Sequence, residues 1–289
     1  MSSLFRTGHV LRGKLGKYTI AKRVRDTTVI IKGVENHPRV NNELDILKRF
    51  QAKTSCLRPV LDEIEDPPEL TIIVLNHFED DLLQASKTRP LNRKKLNCVS
   101  RRILEALNCL HQGGYIHADL KPDNIFVNYA DRGVGNHVRF SDVRLRDLGD
   151  TCPIDSKWAR SGTPLGAPMW HSPELIMETP WGSPTDIWSY GAVVSFSILF
   201  NELILQFRYF GPWPGKYEEV ASPETLHAIR WVMQEIPKSE TTPFAMITEK
   251  EVCKRDKEFI MEIRKLDWRD RPSARELLEH ERLKEGDKE

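Results

Sequence analysis

Cysteine is sparse in this chain. Its five thiols, Cys56, Cys98, Cys109, Cys152 and Cys253, are spread over 289 residues with neither paired metal-ligand spacing nor a disulfide framework. An odd, scattered set argues against a disulfide-stapled secreted protein and fits a reducing compartment. An excess of one charge is also missing. A formal net charge of +1 gives no reason to expect a nucleic acid partner. The opening residues Met1 to His9 hold no long apolar core, so no signal peptide is read there. Long hydrophobic runs are lacking too. The greasiest stretch, Ala192 to Phe210, is broken by Asn201, Glu202, Gln206 and Arg208, and it is read as a buried helix rather than a membrane span. No internal repeat or low-complexity tract is present. The expectation is a soluble intracellular monomer, cytoplasmic or nuclear, engaging neither nucleic acid nor membrane.

What is there suits one large domain or two lobes with a substantial core. An apolar share of 39% and a charged share of 29% are ordinary for a soluble globular protein. The first third reads as strand-rich with one helix. Tyr18 to Val24 and Thr27 to Val34 carry β-branched and aromatic residues around a polar turn at Arg25-Asp26. Val40, Leu44, Leu47 and Phe50 recur at helical spacing after a start at Asn36-His37-Pro38. Two further strands, Arg58 to Ile64 and Leu70 to Leu75, are split by the Asp66-Pro67-Pro68 turn. Beyond residue 90 the pattern turns helical. Leu96, Val99, Ile103, Leu107 and Leu110 form one stripe, with Asn92 as N-cap and Gly113-Gly114 as the stop.

Between that stripe and an apolar strand, Ile125 to Val127, lies the segment from His117 to Asn124, H-A-D-L-K-P-D-N. A carboxylate, a lysine two residues on and a carboxamide three further can all face one site from a single loop. Downstream come D-L-G at Asp147 to Gly149, S-P-E at Ser172 to Glu174 and T-D-I-W-S-Y-G at Thr185 to Gly191. The order and spacing resemble the catalytic half of a eukaryotic protein kinase, and the set is similar to that of divergent fungal serine/threonine protein kinases. The resemblance covers about residues 10 to 280.

The resemblance implies an α+β fold of two lobes in a single kinase domain. A small antiparallel β-sheet lobe with one helix spans 10–78, a large mainly helical lobe spans 79–283, and 284–289 fray. The boundary falls near Asn76 to Asp81. It implies ATP and Mg2+ as cofactors and transfer of the γ-phosphoryl group to serine or threonine hydroxyls of a protein substrate. By the same resemblance Asp119 accepts the hydroxyl proton, Lys121 neutralises the migrating group, and Asn124 and Asp147 hold metal. Lys32, ending T-V-I-I-K, grips the α- and β-phosphates and pairs with Glu43. The adenine bonds the backbone near Asn76 to Phe78, with Leu75 gating the pocket behind it. Glu174 and Arg271 resemble a helical-lobe ion pair, and Asp186 accepts backbone donors from the catalytic loop.

Several positions depart from the family pattern. In Val10 to Tyr18, V-L-R-G-K-L-G-K-Y, Gly13 and Gly16 land on the second and third glycines of the phosphate-covering loop and Leu11 replaces the first. A second alignment makes Tyr18 to Val24 the first strand and leaves that loop missing. Ala118 replaces an arginine that clamps a phosphorylated segment, so activity independent of phosphorylation at Thr151, Ser156, Ser161 or Thr163 is expected. Ala167 replaces a threonine bonded to the catalytic aspartate. The interval from Asn124 to Asp147 is long, and Asn128 to His137 is read as an inserted hairpin or loop. Ser141-Asp142-Val143 is an alternative to Asp147 that lacks the glycine. Pro212 to Glu251 is either a docking surface or an elaborated helix connection. Two rivals stay open: a catalytically impaired scaffold and a small-molecule phosphotransferase.

Overall fold

The computed structural model describes residues 6–20, 29–33, 37–66, 68, 70–89, 91–130, 139–194, 208–237, 241–250 and 252–284. Contacts divide the chain into two compact units, Met1–Pro90 with Asp123–Thr151, and Leu91–Pro122 with Cys152–Glu289. The first is built on antiparallel strands and the second mainly on helices, which is the expected α+β architecture.

In the first unit, five strands form one sheet in the order β2-β1-β4-β5-β3. They are β1 (Val10–Gly13), β2 (Lys17–Thr19), β3 (Val29–Gly33), β4 (Val60–Asp66) and β5 (Ile72–Asn76). Every pairing is antiparallel. β1 returns directly into β2 across residues 14–16, and Gly13 N–H donates to the Gly16 carbonyl at 2.8 Å. The expected turn at Arg25-Asp26 lies outside the described residues. Leu11, Ile64, Ile72 and Val74 pack as one apolar cluster on this sheet.

The helix α1 (Pro38–Phe50) starts where the sequence signals it should. His37 is the N-cap and Pro38 occupies the first turn, where its missing N–H costs nothing. Its buried face carries Val40, Leu44, Leu47 and Phe50, and Glu43 sits on that same face. A carboxylate there needs a partner, because burying an unpaired charge is costly.

The same unit holds a second sheet of β6 (Asp80–Asp81), β8 (Ile125–Tyr129) and β9 (Phe140–Leu145), in the order β6-β8-β9. A short helix, α2 (Leu82–Thr88), follows β6 and is capped by the Asp81 side chain. β8 and β9 pair with Ile125 opposite Leu145, so Asn124 and Arg146 leave the ladder at one end. Most of the long β8–β9 connection, 131–138, lies outside the described residues, and Asn128 and Tyr129 belong to β8 itself.

The second unit is organised around α3 (Arg93–Gln112). The Asn92 side chain accepts from Lys95 N–H, and Gly113 caps the other end. Val99, Ile103, Leu107 and Leu110 are buried as their spacing requires. The strand β7 (Tyr115–Ile116) pairs with β10 (Cys152–Pro153). Then follow α4 (Lys157–Ser161), α5 (Pro173–Ile176), α6 (Pro184–Val194), α7 (Pro223–Glu235), α8 (Lys254–Ile263), α9 (Ala274–Leu278) and α10 (Glu281–Lys284). α6 is buried from Thr185 to Val193, and Trp188 joins Trp213, Tyr217, Ile229 and Val232 in one core. Residues 195–207 of the stretch read as a buried helix lie outside the description. Among the described residues no helix is long and apolar enough to cross a membrane.

Candidate active site

The loop after β7 is pinned from beneath. The Asp186 carboxylate, in the first turn of α6, accepts the backbone N–H of His117 at 2.8 Å and of Ala118 at 2.9 Å. It also bonds the His111 ring at 2.8 Å. Burial alone would raise this carboxyl's pKa, but the bonds and charge of His111 and the His117 amide outweigh it and hold the value below the ordinary range. Ala118 adopts a left-handed backbone, φ 63°, which an alanine accepts only at some cost. The scaffold role expected for Asp186 is therefore visible as hydrogen bonds.

That fixed loop presents Asp119, which is 5% exposed. Its carboxylate pairs with Lys121 Nζ at 3.0 Å and accepts the backbone N–H of Ala167 at 2.9 Å. The threonine bond that Ala167 cannot make is thus replaced by a main-chain donor. Gly166 permits it. At φ +81° it lies so near the Ala118 carbonyl that a Cβ would sit 2.1 Å from the oxygen.

In the other unit, Lys32, Glu43 and Asp147 converge. Lys32 leaves the end of β3 and forms a hydrogen-bonded ion pair with Glu43, which is 2% exposed. Its Nζ also meets Asp147 at 3.0 Å. Asp147 follows β9 in a left-handed conformation, φ 58°. Arg146 N–H bonds the Asn124 carbonyl at 3.0 Å, so the β8–β9 ladder brings the segments bearing Asn124 and Asp147 to one end of the sheet. Asn124 is 1% exposed.

The remaining sequence-derived positions fall on the first sheet and its flank. Leu75 is buried in β5 between β3 and β4. The Asn76 carbonyl accepts from Arg58 Nε at 2.7 Å, and Phe78 stacks on Phe126. Gly13 and Gly16 flank the β1–β2 turn. There Leu15 N–H and Tyr18 Oη both donate to Asp62 of β4, at 2.9 and 2.8 Å. Burial pushes the Asp62 carboxyl upward, but these donors and the amides of Gly16 and Glu63 hold it below its ordinary value. A Cβ on Gly13 would meet the Asp62 oxygen at 2.3 Å, so this glycine makes room for the carboxylate.

Asp62 was missed in the sequence, as were Asn42 and Arg39 of α1. Asn42 bonds carbonyls in the 148–151 turn, and Arg39 pairs with Asp150. The available signal was helical spacing, because residues 39, 42 and 43 share one face.

Magnesium is held in such sites by one or two carboxylates together with phosphate oxygens. Asn124 and Asp147 supply hard oxygen donors of that kind and no thiol, and among the described residues no larger cluster of His, Cys, Asp or Glu suited to a metal occurs. These residues are chemically compatible with a magnesium ion.

The protein kinase domain family matches residues 7–283. The chain belongs to the protein kinase family. This kinase domain is 29% identical to the serine/threonine-protein kinase dst1 of Dictyostelium discoideum over 202 residues, 70% of this chain and 23% of that protein. It is 35% identical to SMU1 of Mycosarcoma maydis over 179 residues, covering 61% and 23%. Against STE20 of Eremothecium gossypii it is 28% identical over 248 residues, covering 81% and 24%. All three carry the name serine/threonine-protein kinase. The kinase domain spans about a quarter of the length of these relatives.

Proposed function

We propose that this kinase domain transfers the γ-phosphoryl group of ATP to serine or threonine hydroxyls of protein substrates. The observation that carries the reading is Asp119, held by Lys121 and the Ala167 amide on a loop fixed by Asp186. A carboxylate so placed orients a hydroxyl and takes up its proton, while the Lys121 ammonium balances charge on the group in transit. Lys32, kept in place by Glu43, positions the nucleotide phosphates. Asn124 and Asp147 would hold Mg2+, which neutralises phosphate charge when bound. Leu75, Asn76 and Phe78 would line the adenine side. Gly13 and Gly16 would serve the phosphates only where Asp62 releases the turn's amides. Catalysis here is positioning and electrostatics, with no covalent step asked of the protein. The proposal includes an intracellular monomer, in cytoplasm or nucleus, that acts on protein alone.

A second reading, a scaffold that binds nucleotide or protein without turnover, is favoured by one observation. Amides of the glycine turn are already bonded to Asp62. The two readings separate in one experiment. Phosphate incorporation into serine-rich acceptors with Mg-ATP is measured for wild type, Asp119→Asn and Asp147→Asn. Transfer by the wild type alone supports the enzyme. Equal incorporation in all three rejects it, and thermal stabilisation by ATP without turnover favours the scaffold.

A further inference from the structure

The turn after Asp147 is fastened to α1 at Asn42 and Arg39, all within one unit. Asn42 Nδ2 donates to the carbonyls of Leu148 at 3.3 Å, Gly149 at 3.0 Å and Thr151 at 2.8 Å. Three acceptors facing one group fix the amide's orientation, since its oxygen would be repelled there. Arg39, one helical turn earlier, pairs with Asp150 at 2.8 Å and approaches Asp147 at 3.8 Å. Gly149 lies so near Arg39 that a Cβ would stand 3.0 Å from its side chain. Asp147 holds its left-handed backbone at the head of this turn.

The consequence concerns geometry that the proposed chemistry needs. Glu43 follows Asn42 on α1, and Lys32 bonds both Glu43 and Asp147. Holding the turn to α1 therefore holds Asp147 beside the Lys32–Glu43 pair. We propose that Asn42 and Arg39 are positioning residues that latch the 147–151 turn to α1, making this assembly the resting state without any added phosphate. The inference rests on the proposed phosphotransfer and deepens it by stating how the site is regulated. Asp150, a carboxylate already in the chain, is the anion that Arg39 meets in this turn. Since the Arg39 side chain is 42% exposed, its ion pair contributes little and the part-buried Asn42 amide bonds contribute more.

The test uses the whole chain. Hydrogen exchange of amides 148–151 is compared in nucleotide-free wild type, Asn42→Ala and Asn42→Asp. Exchange there is expected to quicken about tenfold or more in both variants while α3 is unchanged. In phosphotransfer assays, kcat is expected to fall about tenfold with KM for ATP within about twofold, as for a group that positions rather than binds. Arg39→Ala combined with Asp150→Asn should be no worse than the poorer single variant, because both remove one bond. Phosphatase treatment of wild type should change kcat less than about twofold. Unchanged exchange in both Asn42 variants overturns the latch, and so does loss of turnover after phosphatase treatment. A wild type without ATP turnover instead overturns the proposed function, leaving exchange to decide the latch.

Discussion

Replacing Arg271 with alanine would strand a carboxylate in a fully buried place. Arg271 and Glu174 meet through two parallel bonds, at 2.6 and 2.8 Å, and both side chains have 0% exposure. Arg271 also donates to the carbonyls of Lys265 at 2.7 Å, Pro184 at 3.0 Å and Leu266 at 3.2 Å. Breaking a buried pair by removing one partner costs ~3–5 kcal/mol. The two halves are unequal. Glu174→Ala leaves a guanidinium that keeps three carbonyl acceptors, which places it near ~3 kcal/mol. Arg271→Ala strands the carboxylate and three carbonyls together, near ~5 kcal/mol. At about 2–4 °C per kcal/mol, the melting temperature should drop roughly 6–12 °C for the first and roughly 10–20 °C for the second. The paired change Glu174→Met with Arg271→Met should cost less than Arg271→Ala, since no charge is left uncompensated. Urea unfolding followed by tryptophan fluorescence measures all three. Single variants within ~1 kcal/mol of wild type, or a double variant worse than Arg271→Ala, would refute the argument.

Three further outcomes are expected. Gly166→Ala sets a Cβ against the Ala118 carbonyl and should pull the Ala167 amide off Asp119, lowering kcat about tenfold or more in phosphotransfer kinetics, as displaced groups do. Glu43→Gln frees Lys32 to lean wholly on Asp147, and steady-state assays should show kcat/KM for ATP falling on the order of 10- to 100-fold. Asp62 and Asp186 are both held below their ordinary pKa, so as pH falls through about 4 the unfolded chain takes up protons first. Their contribution to stability is full above that range and is lost as pH drops through the folded-state values. Unfolding free energies between pH 3 and 6 should show a shallower slope for Asp62→Asn, which is also less stable than wild type at pH 6.

Elements whose cause is local were legible in the sequence. α3 declares itself through its apolar stripe, Asn92 and Gly113, because periodicity and capping act within a few residues. The Lys32–Glu43 pair was legible through the resemblance, and Asp119 and Lys121 were legible as site residues, but their pairing with each other was not. Asp62 was not, for its distant partners are the Leu15 amide, 47 residues away, and the Tyr18 hydroxyl, and every residue type except proline carries such an amide. Asn42 hid for the same reason, its acceptors being carbonyls more than a hundred residues distant. At Ala167 the side chain predicted a lost bond, but the backbone supplies one.

The central claim is that Asp119 activates a hydroxyl for phosphoryl transfer. Its most direct measurement is the fate of a label on the γ-phosphate of ATP, followed by phosphoamino acid analysis of a protein acceptor. Label is expected on serine and threonine with the wild type and almost none with Asp119→Asn, although that variant still binds Mg-ATP. Equal labelling by the Asp119→Asn variant would contradict that claim.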